Sequence, residues 1–191
     1  MNPLRAVLRH FDEWLSLQYS VKVFSQDPKC VLRIQICPIH HTIDLPDGMI
    51  VDGSQTLMIH WWNERASIIP AEGPTMAWAL ETSRSMRYSL RLIARYLQYN
   101  SSCLEIQAVG GITAHVVLGK ADGEKAMLEH LGFKVIPYHR PVGAFGEFWE
   151  NFFTWWLMWT YNPASTRRRS MFNLQRTEFW MSRRAFIEKY G

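Results

Sequence analysis

The sequence predicts an α+β domain in which helices flank a mostly antiparallel sheet. Three observations lead to this fold class. Two segments have apolar residues at helical spacing, several short segments alternate apolar and polar residues, and turn residues separate these segments. Their order is helix, several strands, helix, strand, helix and strand, which is typical of α+β domains. The chain of 191 residues, 48% of them hydrophobic, is long enough to bury a core.

Two amphipathic helices are predicted. The first covers residues 3–18, with Asn2 as its N-cap and Pro3 in its first turn. Its apolar face consists of Leu4, Val7, Leu8, Phe11 and Leu15. The second covers residues 76–99 and ends at the polar residues that follow. Part of this second helix has a basic ridge, formed by Arg84, Arg87, Arg91 and Arg95.

Strand patterns fill most of residues 30–70. Asp47-Gly48 and Asp52-Gly53 are typical of tight turns between strands. We expect an antiparallel meander with strands over residues 31–37, 41–45, 49–51 and 56–62.

Further along the chain, three more elements are predicted. A strand over residues 104–109 is expected to end at Gly110-Gly111, a pair that is also a weak candidate for an anion nest. A helix over residues 122–131 precedes Gly132, which is expected to cap it in the left-handed conformation. A strand over residues 133–138 follows.

The last 50 residues differ in composition from the rest. We therefore divide the chain into an α+β domain, residues 1–141, and a helical, Trp/Arg-rich C-terminal extension, residues 142–191. The extension contains five of the nine tryptophans, and residues 163–191 include seven basic and two acidic residues. The net charge of the whole chain is only +4, so the basicity belongs to this extension.

The extension is expected to contact a membrane surface or a partner protein. Tryptophan favours the bilayer interface, so Trp155, Trp156 and Trp159 are predicted to insert. Arg167, Arg168 and Arg169 would then hold anionic headgroups. The alternative is that the extension packs on its own domain or on a second subunit of a homodimer, where arginine would stack on aromatic rings. Nucleic acid is not expected as a partner, because the rest of the chain is near neutral and has no nucleic-acid-binding motif.

No complete catalytic set and no metal site is predicted. His40 and His41 would point to opposite faces of a strand, and no zinc-binding motif accompanies them. The polar residues that could line a cleft at a strand end are His60 and Asn63, with His115 as another candidate base. Three cysteines, no signal-peptide pattern and no apolar run of about 18 residues favour a cytoplasmic protein, at the inner face of a membrane if the extension binds lipid.

Several of these features resemble the YkoP-like domain family. They are the Asp-Gly turns, His60 and Asn63 at a strand end, the Arg-rich helix from Arg84 to Leu97, and Leu131-Gly132-Phe133. The resemblance covers residues 3–140, with the segment after residue 145 outside the pattern. Some members of that family are joined to polysaccharide-deacetylase-like domains. The resemblance therefore implies work at the cell envelope. Together with the Trp/Arg-rich extension, it leads us to expect a membrane-surface accessory protein in envelope lipid or polysaccharide metabolism, with no cofactor.

The order of elements also resembles the second half of the GCN5-related N-acetyltransferase fold. Residues 126–133 are similar to its closing helix and strand. The glycine-rich acyl-CoA loop of that fold is absent, since residues 82–88 contain no glycine. The alternative function is therefore an acyltransferase with an altered donor site. Arg84 and Arg87 would bind the phosphates of acyl-CoA or of an acyl carrier protein, and His60 or His115 would act as base.

Overall fold

The computed structural model describes residues 3–62, 64–73, 75–116, 122–139, 143–161, 163 and 174–191. The helices are α1 (Pro3–Gln18), α2 (Met76–Tyr99), α3 (Asp122–His130), α4 (Gly143–Tyr161) and α5 (Arg183–Tyr190), with a short 3-10 turn at Ser101–Cys103. The strands are β1 (Leu32–Pro38), β2 (Ile43–Leu45), β3 (Gly48–Ile50), β4 (Gln55–Trp61), β5 (Ala108–Val116), β6 (Lys134–Pro137) and β7 (Leu174–Ser182).

The two long amphipathic helices have the bounds that their sequence patterns predict. At the start of α2, the Thr75 hydroxyl accepts a hydrogen bond from the backbone N–H of Trp78, as an N-cap does. The helix buries Leu90, Ile93, Ala94 and Leu97, which are spaced three or four residues apart. Gly132 follows α3 with a φ of +92°, which confirms the left-handed cap expected there.

The main sheet has five strands in the order β1-β4-β5-β7-β6. β4 and β5 are parallel and the other neighbours are antiparallel, so the α+β class with a mostly antiparallel sheet is confirmed. The expected meander over residues 30–70 is wrong. β1 pairs directly with β4, while β2 and β3 form a separate two-stranded hairpin. The hairpin is not part of the main sheet, because its apolar residues pack over one face of that sheet.

The strand expected over residues 104–109 begins later and continues further. β5 passes through Gly110-Gly111, which pair with Trp180 and Phe179 of β7. A Cβ at Gly110 would collide with the backbone oxygen of Phe179 and with the Trp180 ring. The glycines therefore allow close packing within the sheet, and the expectation that they end the strand is wrong.

β7 lies in the interior of the sheet, between β5 and β6. The helix that follows it, α5, contributes Phe186 and Tyr190 to the core. Residues on both sides of residue 141 thus contribute strands to the same sheet.

The two faces of the sheet are covered differently. One face packs against α2, α3 and α5 and forms the larger hydrophobic core. The opposite face carries a smaller core, in which Ile43, Leu45 and Ile50 of the β2–β3 hairpin pack on Trp180 and its neighbours. Alternation along β7 explains the division, because Phe179 and Met181 enter the first core while Trp180 enters the second.

Candidate functional site

Helices α1 and α4 pack against each other outside both cores. The rings of Phe11 and Phe153 meet edge to face, with centroids 5.2 Å apart. Ion pairs tie the two helices to the sheet. Arg33 of β1 bonds to Asp12 of α1 at 2.9 Å, and Arg176 of β7 bonds to Glu150 of α4 at 2.8 Å.

This helix pair presents large apolar side chains to solvent. Trp14 is 52% exposed and Leu17 80% exposed on α1, and Trp149 is 51% exposed on α4. We call this the α1–α4 aromatic surface, and it consists of Phe11, Trp14, Leu17, Phe148, Trp149 and Trp159. Among the side chains that the structure describes, none from α1 or α4 belongs to either core.

The predicted insertion residues lie on α4, but they are not equally accessible. Trp159 is 44% exposed, whereas Trp155 and Trp156 are half-buried. Trp155 stacks on Trp159 with ring planes 7° apart. Arg167, Arg168 and Arg169 lie outside the described residues. None of the helices in the described part of the chain combines the length and hydropathy needed to cross a bilayer.

His60 is held in a polar pair on the sheet. Its Nε2 donates to Oε1 of Gln35 on the neighbouring strand at 2.9 Å. Burial lowers its pKa to about 4, and the positive charge of Arg33 adds to this effect, while Asp12 opposes it. The imidazole is therefore neutral at pH 7, but a pKa this far below 7 makes it a weak proton acceptor. A role of His60 as a base stays a prediction. Of the two candidates named with it, Asn63 lies outside the described residues, and His115 lies on β5 opposite Gln175.

The two arginines predicted to bind donor phosphates both lie on α2 and are exposed. The guanidinium of Arg87 donates to Nε2 of His130, at the end of α3, over 2.7 Å. This contact occupies one edge of Arg87 with a neutral acceptor. A role of Arg84 and Arg87 in binding an acyl donor stays a prediction.

A second polar cluster brings together residues from three separate elements. Glu178 is in β7, His139 follows β6, and His41 precedes β2. One potential ligand atom from each residue lies within 4.8 Å of the others. Nε2 of His41 is 3.1 Å from Oε2 of Glu178, and the two imidazole rings stack with centroids 4.9 Å apart.

Glu178 is an almost fully buried carboxylate with fixed partners. Its side chain is 3% exposed. The indole N–H of Trp180 donates to Oε2 at 2.8 Å, and the backbone N–H of His139 donates to Oε1 at 3.0 Å. These two bonds stabilise the carboxylate and fix its orientation.

Sequence reasoning did not find this cluster. The expected position of His40 and His41 on a strand is wrong, because both lie in the bend before β2 and are not held on opposite faces of a strand. His40 is exposed, while His41 turns toward β7. The sequence feature that could have indicated the cluster is Glu178, a charged residue directly before the apolar run Phe-Trp-Met. The sequence pattern alone does not predict the strand over residues 174–182 that buries it.

Comparison with known families identifies a domain that covers almost the whole chain. The YkoP domain matches residues 3–190. The match extends past residue 140, so the narrower range expected from the sequence is wrong, and the aromatic and basic segment lies within the domain. No curated protein and no solved structure matches the chain. The expected similarity to the GCN5-related N-acetyltransferase fold therefore stays a prediction.

Proposed function

The chain belongs to the YkoP domain family, and from this premise we propose that it binds an anionic membrane surface through its α1–α4 aromatic surface. The observation that carries the proposal is the exposure of Trp14, Trp149 and Trp159 on two adjoining helices. Large exposed apolar patches mark sites of interaction with proteins or membranes.

The composition of the surface favours a bilayer over a protein partner. Tryptophan has an apolar body and one N–H donor, which suits the boundary between headgroups and acyl chains. In the sequence, Arg167-Arg168-Arg169 follows α4 closely. Each basic residue near an anionic surface contributes about 1 kcal/mol to binding, so these arginines would strengthen attachment.

The helix pair is also suited to a surface role by its position. Helix α1 and helix α4 are tied to the sheet through Asp12 and Glu150, while their aromatic side chains project outside the two cores. Such helices lie in the plane of the interface with the apolar face a few ångströms deep. The protein would then present its folded domain to lipid-linked molecules, consistent with an accessory role in envelope lipid or polysaccharide metabolism.

Vesicle flotation of the full chain tests the proposal. We expect the chain to float with vesicles containing phosphatidylglycerol, and added salt to weaken this binding. The double variant Trp14→Ala/Trp149→Ala removes two exposed indoles and should lower the bound fraction at least about tenfold, since each buried aromatic side chain contributes on the order of 1.5–3 kcal/mol.

The matched control is Tyr99→Ala. Tyr99 is 86% exposed at the end of α2, away from the surface under test, so this variant should float like the unaltered chain. Equal flotation of the double variant and the control would contradict the proposal. A second result would also contradict it: neither the unaltered chain nor the double variant floats, and in sedimentation the unaltered chain is a stable dimer while the double variant is a monomer. The surface would then be a subunit interface.

A further inference from the structure

We propose that His41, His139 and Glu178 form a binding site for a divalent transition-metal cation of the Zn²⁺ class. The three side chains offer two imidazole nitrogens and one carboxylate oxygen, all within 4.8 Å of one another. Zinc takes this ligand set in proteins and keeps a fourth position open for water or another ligand.

The spacing of the ligand atoms fits coordination after a small contraction. Bonds of about 2.0–2.1 Å in a tetrahedral site place neighbouring ligand atoms roughly 3.3 Å apart. His41 Nε2 and Glu178 Oε2 are already 3.1 Å apart. The remaining adjustment falls on His139, which is exposed and lies in the segment after β6.

An unused nitrogen also points to a ligand at this position. Nε2 of His41 is shielded from solvent and makes no hydrogen bond within the described part of the chain. It stands close to Glu178 but without hydrogen-bond alignment. Buried nitrogens are rarely left unpaired, and a metal ion would use the lone pair of this one.

The surroundings of Glu178 resemble the outer shell of a metal site. Trp180 and the backbone of His139 each donate one hydrogen bond to the carboxylate, one to each oxygen. A carboxylate has about four lone-pair positions, so both oxygens can still accept a metal. Outer-shell donors of this kind hold a ligand in the orientation that the metal requires.

The charge and access of the cluster suit a dication. Glu178 supplies one buried negative charge, and neutral imidazoles add none, so a cation entering the site would compensate that charge. Burial decreases from Glu178 through His41 to His139, which leaves a route from solvent. The site lies on the sheet face under the β2–β3 hairpin and goes beyond the proposed membrane binding.

Metal titration of the untagged full chain, stripped with a chelator, tests this proposal. We expect one equivalent of Zn²⁺ to bind saturably in calorimetry, and Co²⁺ to give a visible absorption band that Zn²⁺ abolishes. Zn²⁺ should also raise the melting temperature of the chain, because it binds the folded state. His139→Ala should weaken binding at least about tenfold and remove the thermal shift.

Two further variants make the result specific. His40→Ala is the matched control, because His40 is exposed and adjacent to a proposed ligand, and it should bind like the unaltered chain. Glu178→Gln loses the charge and keeps one of the two acceptor oxygens, so one of the donors from Trp180 and the His139 backbone loses its partner. Circular dichroism checks that this variant is folded, and it should bind the metal more weakly. The proposal would be overturned if the unaltered chain showed no saturable binding. It would also be overturned if the folded variants His139→Ala and Glu178→Gln bound Zn²⁺ with the same affinity as the unaltered chain.

Discussion

His60 is a single residue whose environment makes folding depend on pH. Its pKa is about 4 in the folded chain and 6.5 for a solvent-exposed histidine, as in the unfolded chain. Burial is the main cause of the difference. Between these values the unfolded chain binds a proton that the folded chain does not bind. Stability from this residue is therefore complete above pH 6.5 and is lost as the pH falls toward 4.

We expect His60→Gln to reduce this pH dependence. In the unaltered chain, the free energy of unfolding should fall by up to about 3 kcal/mol from this group between its two pKa values. Glutamine does not titrate, so the variant should lose that part of the slope. Urea denaturation at several pH values measures it, with His40→Gln as an exposed control. An identical slope in His60→Gln and in the unaltered chain would show that His60 is not buried as a neutral group.

Residue types were easier to predict than residue neighbours. His60 stood out in the sequence as a polar group at a strand end, but its partner Gln35 lies on a strand whose pairing was not known. His41, His139 and Glu178 are far apart in the chain, and only the folded sheet and the hairpin bring them together. Short motifs report local spacing, so a cluster built from three elements has no sequence pattern.

At the scale of elements, the packing of β5 against β7 depends on a missing side chain. Gly110 lies opposite Trp180, whose indole is buried and bonded to Glu178. Any Cβ at residue 110 would meet the Trp180 ring and the Phe179 backbone. The same contact therefore links the register of two central strands to the position of the Glu178 carboxylate.

We expect Gly110→Ala to destabilise the fold by about 2 kcal/mol or more, because the backbone on the other side of the contact has little room to move. The neighbouring variant Thr113→Ala alters a half-buried position of the same strand and should cost less than about 1 kcal/mol. Denaturant unfolding of both variants gives the comparison. Equal stabilities would mean that Trp180 does not pack on Gly110.

The helices were more predictable than the strands for a physical reason. α1 and α2 have their apolar residues at helical spacing, so their own sequence pattern defines them. Strand β7 combines basic, acidic and aromatic residues because it lies in mid-sheet with a different environment on each face. Its composition resembled that of a basic tail, and only its pairing with β5 and β6 makes it a central strand.

At the scale of the whole molecule, the two sides of the sheet carry different features. Helices α2, α3 and α5 close the larger core on one side. The other side carries the hairpin, the His41–His139–Glu178 cluster and the tied helices α1 and α4. The sequence indicated the fold class and the bounds of α1 and α2, but strand order depends on long-range pairing that periodicity does not report.

The proposed membrane contact involves one side of the molecule only. A bilayer bound at the α1–α4 aromatic surface would shield backbone amides of those two helices and slow their local opening. Helix α2 lies across the sheet and should be unaffected. Tests must use the full chain, since residues 174–191 supply the central strand β7 and the core residue Phe186.

The most direct measurement is hydrogen–deuterium exchange of the full chain with and without phosphatidylglycerol vesicles, read by mass spectrometry. We expect slower exchange in peptides covering α1 and α4, and no change in α2 or α5. Phosphatidylcholine vesicles should produce a smaller effect, because they offer no anionic charge. Unchanged exchange everywhere, or protection confined to the α2 and α5 side, would contradict membrane binding through the α1–α4 aromatic surface.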